Sequence, residues 1–449
     1  MNYNYFIDIT SIFFIIYLVG GICHTIINSL LEWCNNNKGD IKNKLKNIWK
    51  IHPLMKKYFS FRKINKIEQY TNEIRNFNEM TSTISGSIKS LCTMVGLAPF
   101  ILYSIISIFP EESTTIHYLI FFCVQLFITT ILSMPISYYE DFVIEQKYGF
   151  NNMNKMLFYL DCIKGTLFKL IITCVTLPLI NYFLTSFGRY EITTILMFTG
   201  GLILLGLIFE FLYMTWFIKI FNKLEPLTDK KLSKRIKNLL SKYGYDSKMV
   251  YVMDASRRSN KSNAFIGGIG KSKKIVLFDT LLKNFSNDEI ISILGHELAH
   301  GKLHHQLIQR VVSYSILFIT MFITFKFIYN VELYHTFGFY WINNENVIQY
   351  SLIGYFLISK IIDNVLWILD PLLSYISRKC EYAADKYSVL YTKNKKAMIS
   401  ALIKLSSENY SDILTNKYYE VYHYSHPSLV NRIKNLNTKK NKVDKKKSK

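Results

Sequence analysis

Long apolar stretches alternate with polar segments along most of the chain. Seven of them reach the roughly 20 mainly apolar residues that a helix needs to cross a bilayer. They lie at approximately 6–32, 87–109, 117–139, 163–186, 193–221, 308–331 and 348–376. The pattern predicts a mainly α-helical, multi-pass membrane protein with about seven transmembrane helices.

The first apolar stretch is predicted to be an uncleaved span. It stays apolar from Ile12 to Leu31, and no basic region precedes it. A signal peptide has a shorter apolar core behind a positively charged start. We therefore count this stretch among the seven.

Two regions outside the apolar stretches are substantial, and the first is predicted to be a mixed α and β domain. In residues 222–307, MVYVM at 249–253 and KIVLF at 274–278 are rich in β-forming residues and predict two strands. The segment between them, 257–273, is expected to be a loop or an edge strand. Residues 377–436 predict further helices.

The chain is strongly basic, with 54 Lys and Arg against 32 Asp and Glu and a net charge of +22. Nucleic-acid binding is one interpretation of such a charge. The apolar stretches require a bilayer, however, so a cytoplasmic membrane surface is the better interpretation, and no nucleic-acid partner is expected. Lys and Arg are concentrated in the first loop, the fifth loop and the C-terminal tail, which the positive-inside rule places in the cytosol. The third loop, which is acidic, is the exception.

One motif carries chemistry, the H-E-x-x-H pattern at His296–His300. Ser286 and Glu289 match a capping box, and the apolar residues after them predict a helix through the motif. Residues four apart lie on one side of a helix, so both His side chains can bind one metal ion, with Glu297 beside them as the general base. Chance can produce such a pattern, but the capped apolar helix and an acidic residue downstream favour a metal site.

A zinc hydrolase of this kind needs a third protein ligand, and none of the seven Cys residues forms a C-x-x-C pair. His304 is excluded because, on a continuous helix, it would lie about 12 Å from His296 along the axis. The metzincin pattern fails because Leu303 stands where it needs Gly. We expect Glu381 to be the third ligand and Asp385 to accept a hydrogen bond from a ligating His. Alone, these two residues would be taken for a solvated helix face.

Six segments, with their order along the chain, resemble a known family. They are EQKYGFN at 145–151, SNAF at 262–265, KIVLFDTLL at 274–282, GHELAHGKLHH at 295–305, SRKCEYAADKY at 377–387 and YSHPSLVNRI at 424–433. Together they are similar to the type I CAAX prenyl endopeptidases, zinc proteases also called a-factor-converting or farnesylated-protein-converting enzymes. The resemblance covers nearly the whole chain. Phe265 and Ala299 are mild departures, because relatives often carry Tyr and Gly there.

The resemblance implies roles for three further residues. Asn263 matches the edge segment that pairs with the substrate backbone, although an ordinary polar loop residue would look the same. His426 and Arg432 match a downstream His and Arg that steady the oxyanion or the substrate carboxylate. The alternatives are a structural turn beside Pro427 for His426 and a structural ion pair for Arg432.

The expected function is zinc-dependent removal of the aaX tripeptide from prenylated CAAX proteins by a gluzincin-type protease domain. Prenylation makes such substrates membrane-bound, which fits a zinc site that faces the cytosol. The family favours the endoplasmic reticulum membrane, and Lys446 and Lys447 match a dilysine retrieval signal, as any Lys-rich tail can. The rivals are a membrane quality-control protease of the same mechanism and a transporter or receptor with a structural metal. A general base beside an open metal site argues against the last.

The expected domain organisation follows from the spans and the motifs. The parts are a membrane domain with spans one to five at 1–221, catalytic regions at 222–307 and 377–436, spans six and seven at 308–376, and a disordered basic tail at 437–449.

Three charged residues, Glu210, Lys360 and Asp363, lie inside apolar stretches. Charges at such depth face a bundle interior or a watery cavity. Lys360 and Asp363 are three positions apart on a helix and are expected to pair. We expect the three residues to line a water-filled chamber, although Glu210 can instead snorkel from near a span end.

Overall fold

A computed structural model describes residue 8 and residues 10–37, 41–187, 192–245, 249–268 and 273–438. Helices make up most of this part, which confirms the mainly α-helical prediction. Lys446, Lys447 and nearly all of the expected disordered tail lie outside the described residues.

Ten helices precede the first strand in the described part. They are α1 (Ile12–Asn36), α2 (Ile41–Trp49), α3 (Pro53–Tyr58), α4 (Phe61–Met94), α5 (Leu97–Ile108), α6 (Thr114–Tyr139), α7 (Gln146–Tyr148), α8 (Lys155–Ser186), α9 (Ile192–Leu212) and α10 (Ile218–Phe221). A π-helical turn at Glu140–Glu145 joins α6 to α7, and another at Tyr213–Phe217 joins α9 to α10.

Ten further helices follow that strand in the described part. They are α11 (Lys230–Tyr243), α12 (Asp279–Asn284), α13 (Asn287–Lys302), α14 (His305–Phe327), α15 (Val331–Thr336), α16 (Ser351–Leu366), α17 (Asp370–Thr392), α18 (Lys395–Glu408), α19 (Lys417–His423) and α20 (Leu429–Asn437).

Six helical stretches of the described residues are long and apolar enough to cross a membrane, and a bent helix pair brings the count to seven. This agrees with the predicted number of spans. The six stretches are Ile12–Asn36, Thr114–Tyr148, Lys155–Ser186, Ile192–Phe221, His305–Phe327 and Ser351–Thr392, and the bent pair is α4 with α5.

The second span differs from the single helix predicted at 87–109. Helices α4 and α5 meet there at an angle of 55°. Gly96 lies at the bend with a φ of 66°, a left-handed conformation that glycine adopts without steric cost. The glycine therefore breaks a stretch whose apolar character alone reads as one helix.

The Lys-rich first loop is folded against the C-terminal helices. Leu45, Met55 and Phe59, from the segment of α2 and α3, are buried in one core with Met398 of α18 and Ile433 of α20. Burial of side chains this large contributes about 1.5–3 kcal/mol each. The first loop thus forms part of the extramembrane body.

A four-stranded sheet lies between the spans and the H-E-x-x-H helix, in the spatial order β1-β2-β4-β3. Strand β2 runs parallel to β4, and β3 runs antiparallel to β4 at the sheet edge. The structure confirms the two predicted strands and shows that part of 257–273 is an edge strand. The sequence reasoning missed β1, a three-residue strand that ends in Pro. The bounds are β1 (Leu224–Pro226), β2 (Val250–Met253), β3 (Ala264–Gly267) and β4 (Lys274–Phe278).

Helix α13 begins at the predicted capping box. The Ser286 hydroxyl accepts from the backbone N–H of Glu289, and the Glu289 carboxylate accepts from the backbone N–H of Ser286 at 2.9 Å. Its apolar face, with Ile290, Leu294 and Leu298, is buried. The capped and buried helix holds the motif in a fixed orientation.

Two of the charged residues within the spans, Glu210 and Lys360, have partners in the structure. Glu210 accepts from Arg310 of α14 at 2.6 Å. The Lys360 ammonium lies 4.3 Å from the ring centroid of Phe356. Among the described residues no ion pair joins Lys360 to Asp363, so the expected pair is wrong. The Lys side chain instead lies over an aromatic ring on its own helix, where a cation is also stabilised.

Candidate metal centre

Helices α13 and α17 bring three ligand atoms together. His296 and His300 come from α13, Glu381 comes from α17, and one ligand atom of each lies within 4.8 Å of the others. The two His Nε2 atoms are 3.1 Å apart. Glu381 Oε2 is 3.4 Å from the Nε2 of His296, and its Oε1 is 3.3 Å from that of His300. This is the set of three ligands expected from the sequence.

The donor chemistry fits a metal ion. Two imidazoles and a carboxylate offer lone pairs to one point, as in catalytic zinc sites. Glu381 Oε2 is buried and has no hydrogen bond of acceptable geometry among the described residues. A buried acceptor without a partner is costly, and a cation at this point would satisfy it.

Asp385 and Arg432 support His296 from behind. Asp385 is fully buried, and its Oδ1 lies 3.0 Å from His296 Nδ1. Arg432 binds the same carboxylate with two hydrogen bonds, of 2.8 and 2.6 Å. An Nδ1–H donated to Asp385 leaves the Nε2 lone pair of His296 free to face the ligand cluster.

The same contacts control the charge of His296. Burial alone lowers the pKa of His296, but the nearby carboxylates of Asp385 and Glu381 outweigh burial and raise the pKa to about 10. A metal ion at Nε2 competes with protonation of the ring, which makes metal binding dependent on pH.

Glu297 lies beside the ligands without being one of the three. It lines a cavity beside the cluster, and burial raises its pKa above the usual range of a carboxyl group, against the opposing effect of His296 and His300. A carboxylate with a raised pKa accepts a proton more readily, as a general base must.

A cavity of 510 Å³ opens in front of the cluster. Among the residues expected to act there, Asn263, Glu297, His426 and Arg432 line it. The His426 side chain is 68% exposed, and its Nδ1 lies 3.0 Å from Glu381 Oε2. The structure thus brings every predicted site residue to the cluster, to its support or to its cavity.

The loop that carries His426 is held by two residues that the sequence reasoning missed. Arg378 donates to the carbonyl groups of Glu420, Val421 and Tyr424. The Glu420 carboxylate accepts from the Ser428 N–H at 2.8 Å. The three carbonyl groups lie 42 to 46 positions after Arg378, and Glu420 binds a backbone N–H eight positions away. A pattern of side-chain types in the sequence does not reveal contacts of either kind.

His304 is not part of the cluster, but the reason differs from the predicted one. Helix α13 ends at Lys302, and His304 takes a left-handed conformation with a φ of 55°. The chain turns there instead of continuing as a helix. The turn places the next residue, His305, with its Nδ1 3.1 Å from His300 Nδ1 and its side chain buried. His305 therefore supports His300 as Asp385 supports His296, and only the repeated His in GKLHH hinted at it.

Comparison with known proteins identifies the family. The model of peptidase family M48 matches residues 226–440. The model of the CAAX prenyl protease N-terminal domain, which is described as five membrane helices, matches residues 44–223. The chain belongs to peptidase family M48. It is accordingly a multi-pass membrane metalloendopeptidase.

This M48 peptidase is similar in sequence to several curated proteins. The CAAX prenyl protease 1 homolog of Arabidopsis thaliana is 32% identical over 74% of this chain and 76% of the relative, and the Homo sapiens homolog is 31% identical over 74% and 75%. The probable CAAX prenyl protease 1 of Schizosaccharomyces pombe is 35% identical over 69% of this chain but only 64% of the relative's length. The crystal structure of S. mikatae Ste24p has a TM-score of 0.82 at 24% identity and covers 96% of this chain and 100% of that one, which supports the fold.

We predict that metal content and turnover separate in single variants. Glu297→Ala should purify with near-normal metal and almost no activity, because Glu297 faces the cavity and not the ligand point. Glu381→Ala should lose both, because two His ligands leave the site one donor short. Asp385→Ala should fall between them, with a loss of about 10–100-fold in affinity or activity. Metal analysis of folded, purified variants decides this, and a metal-loaded Glu381→Ala protein would refute the ligand assignment.

We predict that His305→Leu weakens metal binding by about 10–100-fold, because His300 loses the group that orients its ring. His304→Gly is the matched control, since glycine tolerates the left-handed conformation of that position, and it should keep wild-type affinity. Competition with a chelator measures both. Equal affinities for the two variants would show that His305 does not support the site.

Proposed function

We propose that this M48 peptidase is a zinc endopeptidase that removes the aaX tripeptide from prenylated CAAX proteins. The supporting observation is where the ligands lie. Helix α14, a membrane span, begins at His305, five residues after His300, and Glu381 lies on the helical stretch that begins at Ser351. The reactive centre is therefore built on the ends of membrane helices. A substrate whose C-terminal end is anchored by a lipid would reach the metal centre near the membrane surface. The curated relatives are named CAAX prenyl protease 1 homolog, which agrees with such a substrate.

The chemistry requires few groups. His296, His300 and Glu381 would hold the ion, and zinc, when bound, would polarise the scissile carbonyl and lower the pKa of a water molecule. Glu297 would take the proton of the attacking water and pass it to the leaving amine. Asp385 would keep the His296 ring oriented throughout.

Strand β3 offers a place for the substrate backbone. The Phe278 N–H donates to the Asn263 carbonyl, so Phe265 and Gly267 also face β4, while the backbone groups of Ala264 and Ile266 point away from the sheet. The Ala264 N–H donates to Asn263 Oδ1 at 2.8 Å, and the Ile266 carbonyl accepts from Gln306 Nε2 at 3.3 Å. A peptide that pairs with this edge as an added strand would replace these two side-chain hydrogen bonds. The Asn263 side chain lines the cavity at the same point and would contact the substrate.

His426 and Arg432 would differ in their roles. His426 is exposed in the cavity, where it can donate to the oxyanion or to the substrate. The guanidinium of Arg432 is already bound by Asp385 through two hydrogen bonds. This favours a structural ion pair for Arg432 over direct contact with the substrate.

The proposed location is the endoplasmic reticulum membrane, with the active site and the C-terminus in the cytosol. The Lys-rich segments that pack around the catalytic helices support this orientation. The N-terminus would then lie on the lumenal side.

We predict that a prenylated C-a-a-X peptide is cleaved much faster than the same peptide without its lipid. The reason is that the lipid concentrates the substrate at the membrane level of the metal centre. Purified protein, assayed with and without a zinc chelator, gives both rates. Equal rates for the two peptides would favour the quality-control protease.

We predict that a glycosylation acceptor fused to the C-terminus stays unmodified in cells, because that end faces the cytosol. The same acceptor fused before Ile12 should be modified and is the positive control. Modification of the C-terminal acceptor would reverse the proposed orientation.

A further inference from the structure

The motif EQKYGFN at 145–151 takes no part in the chemistry, yet it pairs with the chain that leads into strand β3. Asn151 and Ser259 form an antiparallel bridge. The Asn260 N–H donates to the Phe150 carbonyl at 3.0 Å, and the Asn152 N–H donates to the Arg258 carbonyl at 3.0 Å. The segment after the third span thus acts as a backbone support for residues 258–260.

Lys261, the next residue, is bound by side chains of the membrane-associated helices. Its ammonium donates to Glu145 at 2.9 Å and to the Tyr70 hydroxyl at 2.8 Å, and Tyr70 donates to Glu145 at 2.6 Å. Tyr70 and Glu145 are both buried. A charged hydrogen bond in such surroundings is stronger than one between neutral groups, so the position of Lys261 is well defined.

Ser262 is held from the opposite side by Asn409, which follows helix α18. The Ser262 N–H donates to Asn409 Oδ1, and Asn409 Nδ2 donates to the Ser262 carbonyl, each at 2.9 Å. The amide of Asn409 therefore pairs with this residue as a neighbouring strand would. Asn409 lines the active-site cavity beside Asn263 and Ala264.

We propose that Lys261 and Asn409 are positioning residues that fix the register of strand β3, so that Asn263 and Ala264 present the substrate to the metal centre. Two consecutive residues are clamped, and the next residue, Asn263, is exposed to the cavity. A slip of one residue in a strand turns every side chain to the other face. The contacts that Lys261 makes with Glu145 and that Asn409 makes with Ser262, together called the clamp, therefore decide which groups the peptide meets. This inference rests on the proposed use of β3 by the substrate.

The clamp also links the peptide-binding edge to the membrane helices. The path runs from Glu145, at the end of the third span, through Lys261 to Asn263. A substrate whose lipid is in the bilayer must place its scissile bond at a fixed height above it. The ion pair would hold the strand at that height.

The test measures kcat and KM separately on full-length reconstituted protein, together with metal content. Lys261→Met and Asn409→Ala should each raise KM about tenfold, the effect of losing one or two net hydrogen bonds, while kcat and metal content stay within twofold. A weakened peptide edge removes binding shared by the ground state and the transition state. Lys261→Arg should restore KM, because it keeps the charge.

The matched control is Lys63→Met. Lys63 lies over the Tyr410 ring at 4.3 Å, in the cavity behind the clamp, and has no described bond to residues 261–263. Its KM should not change. Asn409→Asp is the milder second variant, since it keeps the acceptor for Ser262 and places an oxygen against the Ser262 carbonyl. It should raise KM as well.

Unchanged KM in folded, metal-loaded Lys261→Met and Asn409→Asp proteins would overturn the inference, as would a parallel loss of kcat and metal. The wild-type rates on prenylated and unprenylated peptides test the proposed substrate separately. Any peptide that the wild-type protein cleaves reports the change in KM, so the two failures can be told apart.

Discussion

The close contact between helices α13 and α17 is the constraint on which the metal centre depends. The two His ligands and the Glu ligand are more than 80 positions apart in the chain, so their helices must touch. Gly295 makes this contact possible, because a Cβ there would lie 3.0 Å from both Ser388 Oγ and Thr392 Cγ2. The Ser388 hydroxyl also donates to the Ser292 carbonyl at 2.6 Å. The residue before His296 thus leaves room for the close approach of α17, which carries Glu381.

Membrane and catalytic parts share their helices instead of meeting at a linker. The span at α14 follows the metal-ligand helix after a two-residue turn, and Glu381 lies on the stretch that continues from the last span. The Lys-rich first loop adds its own buried side chains to the core around α18 and α20. Motion of the spans relative to one another would therefore move the ligands as well.

Local patterns predicted much of this architecture. Hydrophobic periodicity reveals spans, a capping box reveals the start of α13, and a spacing of four reveals which side chains share a helix face. These signals depend on residues close in sequence. They therefore sufficed to place His296 and His300 on one helix face and Glu381 and Asp385 on one face of another.

Features that depend on contacts between distant residues or on the conformation of a single turn residue could not be predicted from the sequence. The bend at Gly96 and the left-handed His304 are conformations of single residues, which the residue type alone does not fix. The contact of Arg432 with Asp385 joins positions 47 apart, and that of Lys261 with Glu145 joins positions 116 apart. Only folding brings such pairs together, so a single sequence leaves them open.

The pair of Asp385 with Arg432 has a consequence for the charge balance of the whole centre. Glu297, Glu381 and Asp385 are three carboxylates, and Arg432 supplies one compensating positive charge beside them. When the carboxylates are ionised and both His ligands are neutral, as metal binding requires, two negative charges remain, which is the complement of a divalent cation. A monovalent ion would leave the buried site anionic, and a trivalent ion would leave it cationic. Arg432 therefore contributes to the net charge that an ion meets at the centre, although it is not among the three ligands.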